Sequence, residues 1–511
     1  MTTTENNKRI AQNTLLLYFR MFLIMAVTLY TSRVILKTLG IEDFGIYNVI
    51  AGIIVLFAFI NNAMATTTQR YLSIALGHNN LNEVERVFSM SLNSHIAIAG
   101  IIFIIGETLG LWLLGKMNFP ENRLNAAHWV YQFSMMTCCM QVIRVPYNSI
   151  IIAHEKMSFY AWTSIIEVVL KLVIVFFLIL YDFDKLILYS ILLFIVTSLI
   201  NIIYKIYCNK YFIYSKYHFS WDKKLFKEFI AFSGWSLAGS LANVGTQQGI
   251  NMIINIFCGV VVNAAVGISN QVMGAVSQFL YNFQTAFNPQ LLKSYANGNR
   301  EYFMNLIFKS SKFSYYLMFI ISLPIIINCH FLLTIWLDEV PKYSTEFSIL
   351  MIIFLLFDAL SGPLWISVQA TGKIKKYQLL MAFLILLNLP IALLLMYLNL
   401  SPIYIYIVRV VLNALTFFTR TLYLYKLIQF PLHQYISKVL YQCIIITLLS
   451  LPIPILCNYI LPTTWSSVSI NIFICIIISC YIIYRLGLNK NEKNFIVQTI
   501  NNKISKITNK G

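Results

Sequence analysis

Arg20 stands about a third of the way into an apolar stretch at 12–36, roughly 12 Å from its start at a helical rise of about 1.5 Å per residue. A charge at that depth in a bilayer costs roughly 2.5–3.5 kcal/mol on insertion scales, so it has a partner or a task. Arg20 therefore reads either as lining a cavity for an anionic ligand or as one half of a structural pair. Glu167 and Lys171, one helical turn apart within 158–181, read first as an internal ion pair and second as a ligand or proton site. Arg409 is a further deep cation, within 402–425. Asp358 lies five residues before Pro363, in the segment DALSGPLW. Pro363 frees the carbonyl of Ala359 and Gly362 loosens the turn, so a kink is expected there. A carboxylate beside a broken helix suits ion coupling, with a buried pair to an arginine as the competing reading. Glu107 is titratable but close to an expected helix end, and Arg33 reads as snorkelling. This chemistry is electrostatic binding and ion coupling, not bond-making. The seven histidines show no HExxH spacing, the nine cysteines form no metal or disulfide framework, and no GxxxxGK[ST] loop is present. No metal, cofactor or enzymatic activity is expected.

Polar uncharged residues form stripes. Asn270, Gly274, Ser277, Tyr281, Gln284 and Asn288 follow one another at steps of 4, 3, 4, 3 and 4, the spacing of one helical face. Asn48, Gly52, Val55, Phe59, Asn62 and Thr66 repeat those steps, and Ser236, Ser240, Asn243, Gln247 and Asn251 give a third stripe. Facing lipid, the amides would be left unsatisfied in hydrocarbon, so they face protein or water. For a single amide, interhelical hydrogen bonding is explanation enough. Three long stripes point to a wet cavity, with Asn48, Asn62, Asn243, Gln247, Asn270 and Gln284 as lining residues beside Arg20, Lys171 and Arg409.

The elements that must carry these residues are membrane helices. Of the 511 residues 59% are hydrophobic and 11% charged, the composition of a polytopic membrane protein. Hydropathy places fourteen spans near 12–36, 44–68, 89–114, 125–149, 158–181, 186–208, 228–254, 262–288, 311–333, 346–370, 377–398, 402–425, 438–459 and 464–486. The polar Met1–Arg9 start runs straight into the first span without a small-residue cleavage site, which argues against a removed signal peptide. The net charge of +18 follows the loops and does not signal nucleic acid. Most Lys and Arg fall on one side, among them Arg70, Arg144, Lys156, Lys293, Lys312 and the tail. The opposite loops carry Arg123 and few other cations, and they are richer in acids: Glu42, Asp43, Glu121, Asp182, Asp184, Asp338, Glu339 and Glu346. The positive-inside rule then puts both termini in the cytoplasm, and membrane lipid headgroups account for the loop basic clusters.

Residues 45–57 and 267–279 share Gly45/Gly267, Ile46/Ile268, Asn48/Asn270, Gly52/Gly274 and Phe57/Phe279 at a constant offset of 222 residues. That maps the second span onto the eighth and implies a six-helix unit used twice in parallel orientation. The expectation is an all-α polytopic membrane protein of about 14 transmembrane helices: two parallel-related six-helix lobes around a central cavity, plus two C-terminal helices. Its parts are an N-terminal lobe (1–208), a basic cytoplasmic linker (209–227), a C-terminal lobe (228–427), spans 13 and 14 (428–486) and a basic cytoplasmic tail (487–511).

Four segments carry a resemblance. Thr31–Ser32–Arg33 with Leu39–Gly40–Ile41–Glu42–Asp43–Phe44–Gly45–Ile46–Tyr47 resembles the first extracytoplasmic loop of polysaccharide flippases of the multidrug/oligosaccharidyl-lipid/polysaccharide (MOP, MATE-like) superfamily. Gln69–Arg70–Tyr71–Leu72–Ser73, Arg144–Val145–Pro146–Tyr147–Asn148 and Ala153–His154–Glu155–Lys156 are similar too. The resemblance implies two lobes around a cavity lined by spans 1, 2, 7 and 8. It also implies flipping of an undecaprenyl-diphosphate-linked O-antigen or capsule repeat unit across the inner membrane by alternating access. Arg20, with Lys171 or Arg409, would attract the diphosphate, the amides would meet sugar hydroxyls, and Glu167 or Asp358 would couple an ion. The implied partners are the lipid-linked oligosaccharide and, as candidates, a polysaccharide polymerase and a chain-length regulator. A multidrug/cation antiporter of the same superfamily is the rival in transport. A membrane polymerase or glycosyltransferase is the rival from another class, disfavoured by the short loops.

Overall fold

The computed structural model describes residues 3–115, 120–180, 183–218, 222–337, 340–460, 462, 464–490 and 492–494; within its helices some side chains, those of Asn48, Asn62 and Arg33 among them, lie outside the description. No strand occurs among the described residues. The helices are α1 (Thr3–Gly77), α2 (Leu81–Leu114), α3 (Leu124–Ala153), α4 (Met157–Leu180), α5 (Lys185–Tyr211), α6 (Lys223–Ala296), α7 (Arg300–Ile327), α8 (Cys329–Leu337), α9 (Ser344–Thr371), α10 (Lys375–Tyr397), α11 (Ile403–Ile428), α12 (Leu432–Ile460) and α13 (Trp465–Gly487). Among the described residues, nine of them are long and apolar enough to cross a membrane. The 30-residue α3 and the double-length α1 and α6 supply the rest of the fourteen expected spans.

The two long helices each stand for two spans. In α6 the break is Gly259, whose φ of 77° and ψ of −177° lie in a region open in practice to glycine alone. It falls between the expected spans 228–254 and 262–288. In α1 the turn is made without the loop expected near 37–43. Leu17 packs with Ile152 and Met157, and Leu72 shares a core with Ile150 and Ile151, so both ends of α1 reach the same end of α3. A straight helix would separate Leu17 from Leu72 by roughly 80 Å. The chain therefore reverses within α1.

Two compact units emerge. The first comprises Met1–Leu241, Thr285–Phe303 and Val368–Leu379; the second comprises Ala242–Gln284, Met304–Ser367 and Leu380–Gly511. The first unit thus includes short segments from the second half of the sequence. Its main core gathers Leu72, Phe88, Tyr147, Ile150, Leu178, Tyr204 and Cys208 from α1 to α5. At the acidic-loop side, Arg123 joins two carboxylates: its Nε donates to Asp43 at 2.8 Å and its Nη1 to Asp184 at 2.6 Å. Asp184 in turn caps α5 by accepting from the N–H groups of Leu186 and Ile187. The second unit is built on Ile250, Ile254, Val266, Phe347, Met351 and Tyr406, with the Phe347 and Tyr406 rings stacked at 4.0 Å.

Candidate binding site

In the first unit the buried charges converge. Arg20, on α1, lays its guanidinium over the Tyr160 ring at 4.6 Å, a contact in which a desolvated cation keeps part of its electrostatic stabilisation. On α4, Glu167 is held from both oxygens. Lys171 Nζ donates to one at 2.9 Å, one helical turn along, and Arg144 Nη1, from α3, donates to the other at 3.0 Å. Tyr204 of α5 packs beside them, with the Arg144 guanidinium 5.7 Å from its ring. Helices α1, α3 and α4 thus contribute three cations and one carboxylate, Glu167, which pairs with Arg144 and Lys171, and the local excess is positive.

The expected Glu167–Lys171 pair is present, and Arg20 lies in the same group. Sequence analysis missed Arg144, counted there among loop cations although it lies inside the expected span 125–149. Its position within the span, followed by Pro146, was the available signal. Asn48 and Asn62 fall among the side chains outside the description.

The remaining predicted residues belong to the second unit. Asp358, on α9, accepts at 3.2 Å from Asn413 Nδ2 of α11, which also donates to the carbonyl of Phe354. Arg409 is buried against the rings of Tyr406 and Phe354, at 5.5 and 5.8 Å, one helical turn from Asn413 on α11. Among the described residues the partner given to Asp358 is the Asn413 amide, and no arginine pairs with it within 4 Å. On α6, Asn243 is exposed, Gln247, Asn270 and Gln284 are half-buried, and Tyr281 is 61% exposed. Gln284 packs against Gly362, where any larger residue would collide with its amide. Asn251 and Asn270 each keep a buried Oδ1 without a hydrogen-bond donor among the described residues. Such atoms call for water or a ligand hydroxyl. No group of three or more metal-ligating side chains occurs among the described residues.

The profile of the polysaccharide biosynthesis protein family matches residues 10–294. No curated protein sequence matches. Among solved structures, a point mutant of a MATE transporter superposes with a TM-score of 0.71 at 12% identity, over 82% of this chain and 97% of that one. An outward-facing multidrug resistance MATE family transporter of the MOP superfamily gives 0.69 at 13% identity, over 83% and 97%. A MOP superfamily transporter from Pyrococcus furiosus, described as having a binding pocket whose reverse polarity suggests a different function, gives 0.67 at 12% identity, over 83% and 98%. At these identities the likeness shows the fold: a multi-pass arrangement of helices shared with transporters. With the family profile covering more than half of its length, the chain belongs to the polysaccharide biosynthesis protein family, and its fold is the one seen in transporters of the MOP superfamily.

Proposed function

We propose that this transporter carries an undecaprenyl-diphosphate-linked oligosaccharide from the cytoplasmic to the outer leaflet of the inner (plasma) membrane, by alternating access, for O-antigen, capsule or exopolysaccharide synthesis. The observation that carries the reading is the sign of the charge in the first unit. Arg144 and Lys171 share a single carboxylate, Glu167, and Arg20 adds a third cation on the Tyr160 ring of the same helix. A diphosphate is attracted to such an excess, whereas a cationic drug is repelled by it. The unsatisfied amide oxygens of Asn251 and Asn270 suit the donors of sugar hydroxyls. The Lys/Arg-rich side is taken as cytoplasmic, and a polysaccharide polymerase and a chain-length regulator are the proposed downstream partners.

The antiporter reading has one observation in its favour, the Asp358 carboxylate with its Asn413 donor. Arg409 lies one helical turn from Asn413 on α11, and a buried cation so placed weakens the carboxylate as a drug-cation site. The deciding experiment is a deletion strain complemented with wild type or Arg20→Ala. Loss of surface polysaccharide with lipid-linked repeat units stranded on the cytoplasmic face supports the reading. Normal polysaccharide together with new sensitivity to cationic dyes overturns it in favour of the antiporter.

A further inference from the structure

The end of α3 is unusual. His154 N–H bonds to the Ile150 carbonyl, Glu155 N–H to that of Ile152, and Lys156 N–H to that of Ile151. This is a Schellman termination, whose left-handed position is normally glycine. Here it is Glu155, with φ of 59°. A side chain there is strained, and strain of this kind persists where the side chain has a task. The Glu155 carboxylate is fully buried, accepting from Gln290 Nε2 at 2.6 Å and from Lys293 Nζ at 2.8 Å. Both donors lie at the end of α6, within the segment 285–303 that belongs to the first unit.

A second contact mirrors it. Arg70, near the end of α1, is buried, and its Nε donates to the carbonyl of Gln369 while its Nη2 reaches that of Ala370 at 3.3 Å. These are last-turn carbonyls of α9, where the helix dipole favours a cation. The left-handed residue after that turn is Gly372, with φ of 75°, and a Cβ there would stand 2.7 Å from Arg70 Nη2. The internal repeat relates the two contacts. Arg70 closes the second span and Lys293 the eighth, each with a glutamine shortly before it, Gln69 and Gln290. The helix ends they hold, at Glu155 and Gly372, close the fourth and tenth spans. Each repeat therefore lends a cation from its second span to the end of the fourth span of the other repeat.

We propose that these reciprocal contacts are a pair of clasps that close the basic side of the transport path, and that they must release for that side to open. It rests on the transport reading only for the path that it closes. The contacts are buried but polar, so water can take up each donor and acceptor when they part, whereas an apolar seam would have to expose its area to water. Thr67 and Ser233, whose hydroxyls meet at 2.9 Å between the same two halves of the sequence, report the closed state without taking part in either clasp.

The test uses the full-length protein in membrane vesicles, with its native cysteines replaced and with Thr67→Cys and Ser233→Cys introduced. Rapid disulfide formation is expected in this parent. Glu155→Gln and Arg70→Ala should each slow it several-fold, and the exchanged pair Glu155→Lys with Lys293→Glu should recover it. Locking the disulfide should abolish surface polysaccharide production, and reduction should restore it. The proposal is overturned if Glu155→Gln crosslinks at the parent rate, if the exchange does not rescue, or if the locked protein remains active. The locked-protein arm needs no charge variant, so a variant that misfolds does not shelter the idea. The crosslinking rate does not depend on what is carried: its failure sinks the clasps alone, and the stranded-intermediate assay judges the substrate separately.

Discussion

Arg144 Nη1 stands 3.0 Å from Glu167 Oε2 and joins α3 to α4 within the membrane-spanning part of the first unit. Because Lys171 takes the other oxygen, the single carboxylate of the cluster is already engaged twice. Arg20 is therefore the cation that the cluster neutralises least, and the Tyr160 ring supplies its described contact.

The first prediction concerns Arg20. Arg20→Ala should reduce transport at least tenfold at unchanged expression, since a desolvated cation–π contact is worth about 2 kcal/mol even before any anion binds. Arg20→Lys should retain part of the activity, because a lysine keeps the charge but not the planar stacking of the guanidinium. Surface polysaccharide at matched protein levels measures both. Full activity of Arg20→Ala would remove Arg20 from the site.

The second concerns Glu167. Glu167→Gln leaves Arg144 and Lys171 facing each other without their carboxylate, and losing one partner of such a pair costs more than replacing all of it. The group is partly exposed, so a loss of about 2 kcal/mol is expected rather than the larger values of fully buried pairs. The triple replacement by apolar residues of similar size should recover most of the melting temperature while abolishing transport. Thermal unfolding of the purified protein beside the polysaccharide assay separates the two effects.

Legibility in the sequence followed the range of the contacts. The spans were readable because 59% hydrophobic composition concentrates in stretches long enough to cross a bilayer, and the break of α6 at Gly259 falls between two of them. The Glu167–Lys171 pair was readable because its partners are four residues apart on one helix. Arg144 is 23 residues from Glu167, and its pairing appears only once α3 packs on α4. The two clasps join residues 138 and 299 apart, beyond any local rule. Glu155 was actively misleading, since propensity asks for glycine at the left-handed position that it fills. The segments holding Arg70 and Glu155 were visible as family-like motifs, but motif likeness says nothing of which residue each will touch.

The third prediction uses pH. Burial disfavours ionisation of Asp184, yet hydrogen bonds from Arg123 and from the N–H groups of Ile187 and Leu186 outweigh it and hold its carboxyl below the usual range. A carboxyl depressed in the folded state contributes stability that is present above its unfolded pKa, about 3.9, and is lost as pH falls through the folded value. The melting temperature of the wild type should therefore fall on acidification below about pH 4. In Arg123→Ala the melting temperature at pH 7 should be lower and this acid slope shallower. Equal slopes in the two proteins would rule out the Arg123 contact as the cause.

The last prediction concerns a pair that loop-charge counting hid. Lys312 was grouped with the basic loops, but it is 5% exposed on α7, and its Nζ lies 2.8 and 3.1 Å from the two oxygens of Glu492. Glu492 is itself 10% exposed, just beyond α13, where it also accepts from the N–H of Asn489. Tyr316 of α7 donates to the carbonyl of Gly487 beside it, so polar contacts pin the end of α13 to α7 at this point. Glu492→Ala strands a buried ammonium and should cost about 3–5 kcal/mol, whereas Lys312→Met with Glu492→Leu should be nearly neutral, because desolvating the pair had consumed most of its attraction. A double-mutant cycle on melting temperature reads the difference. If Glu492→Ala alone melts like the wild type, the ammonium has found water at this site, and the pair does not hold α13 in place.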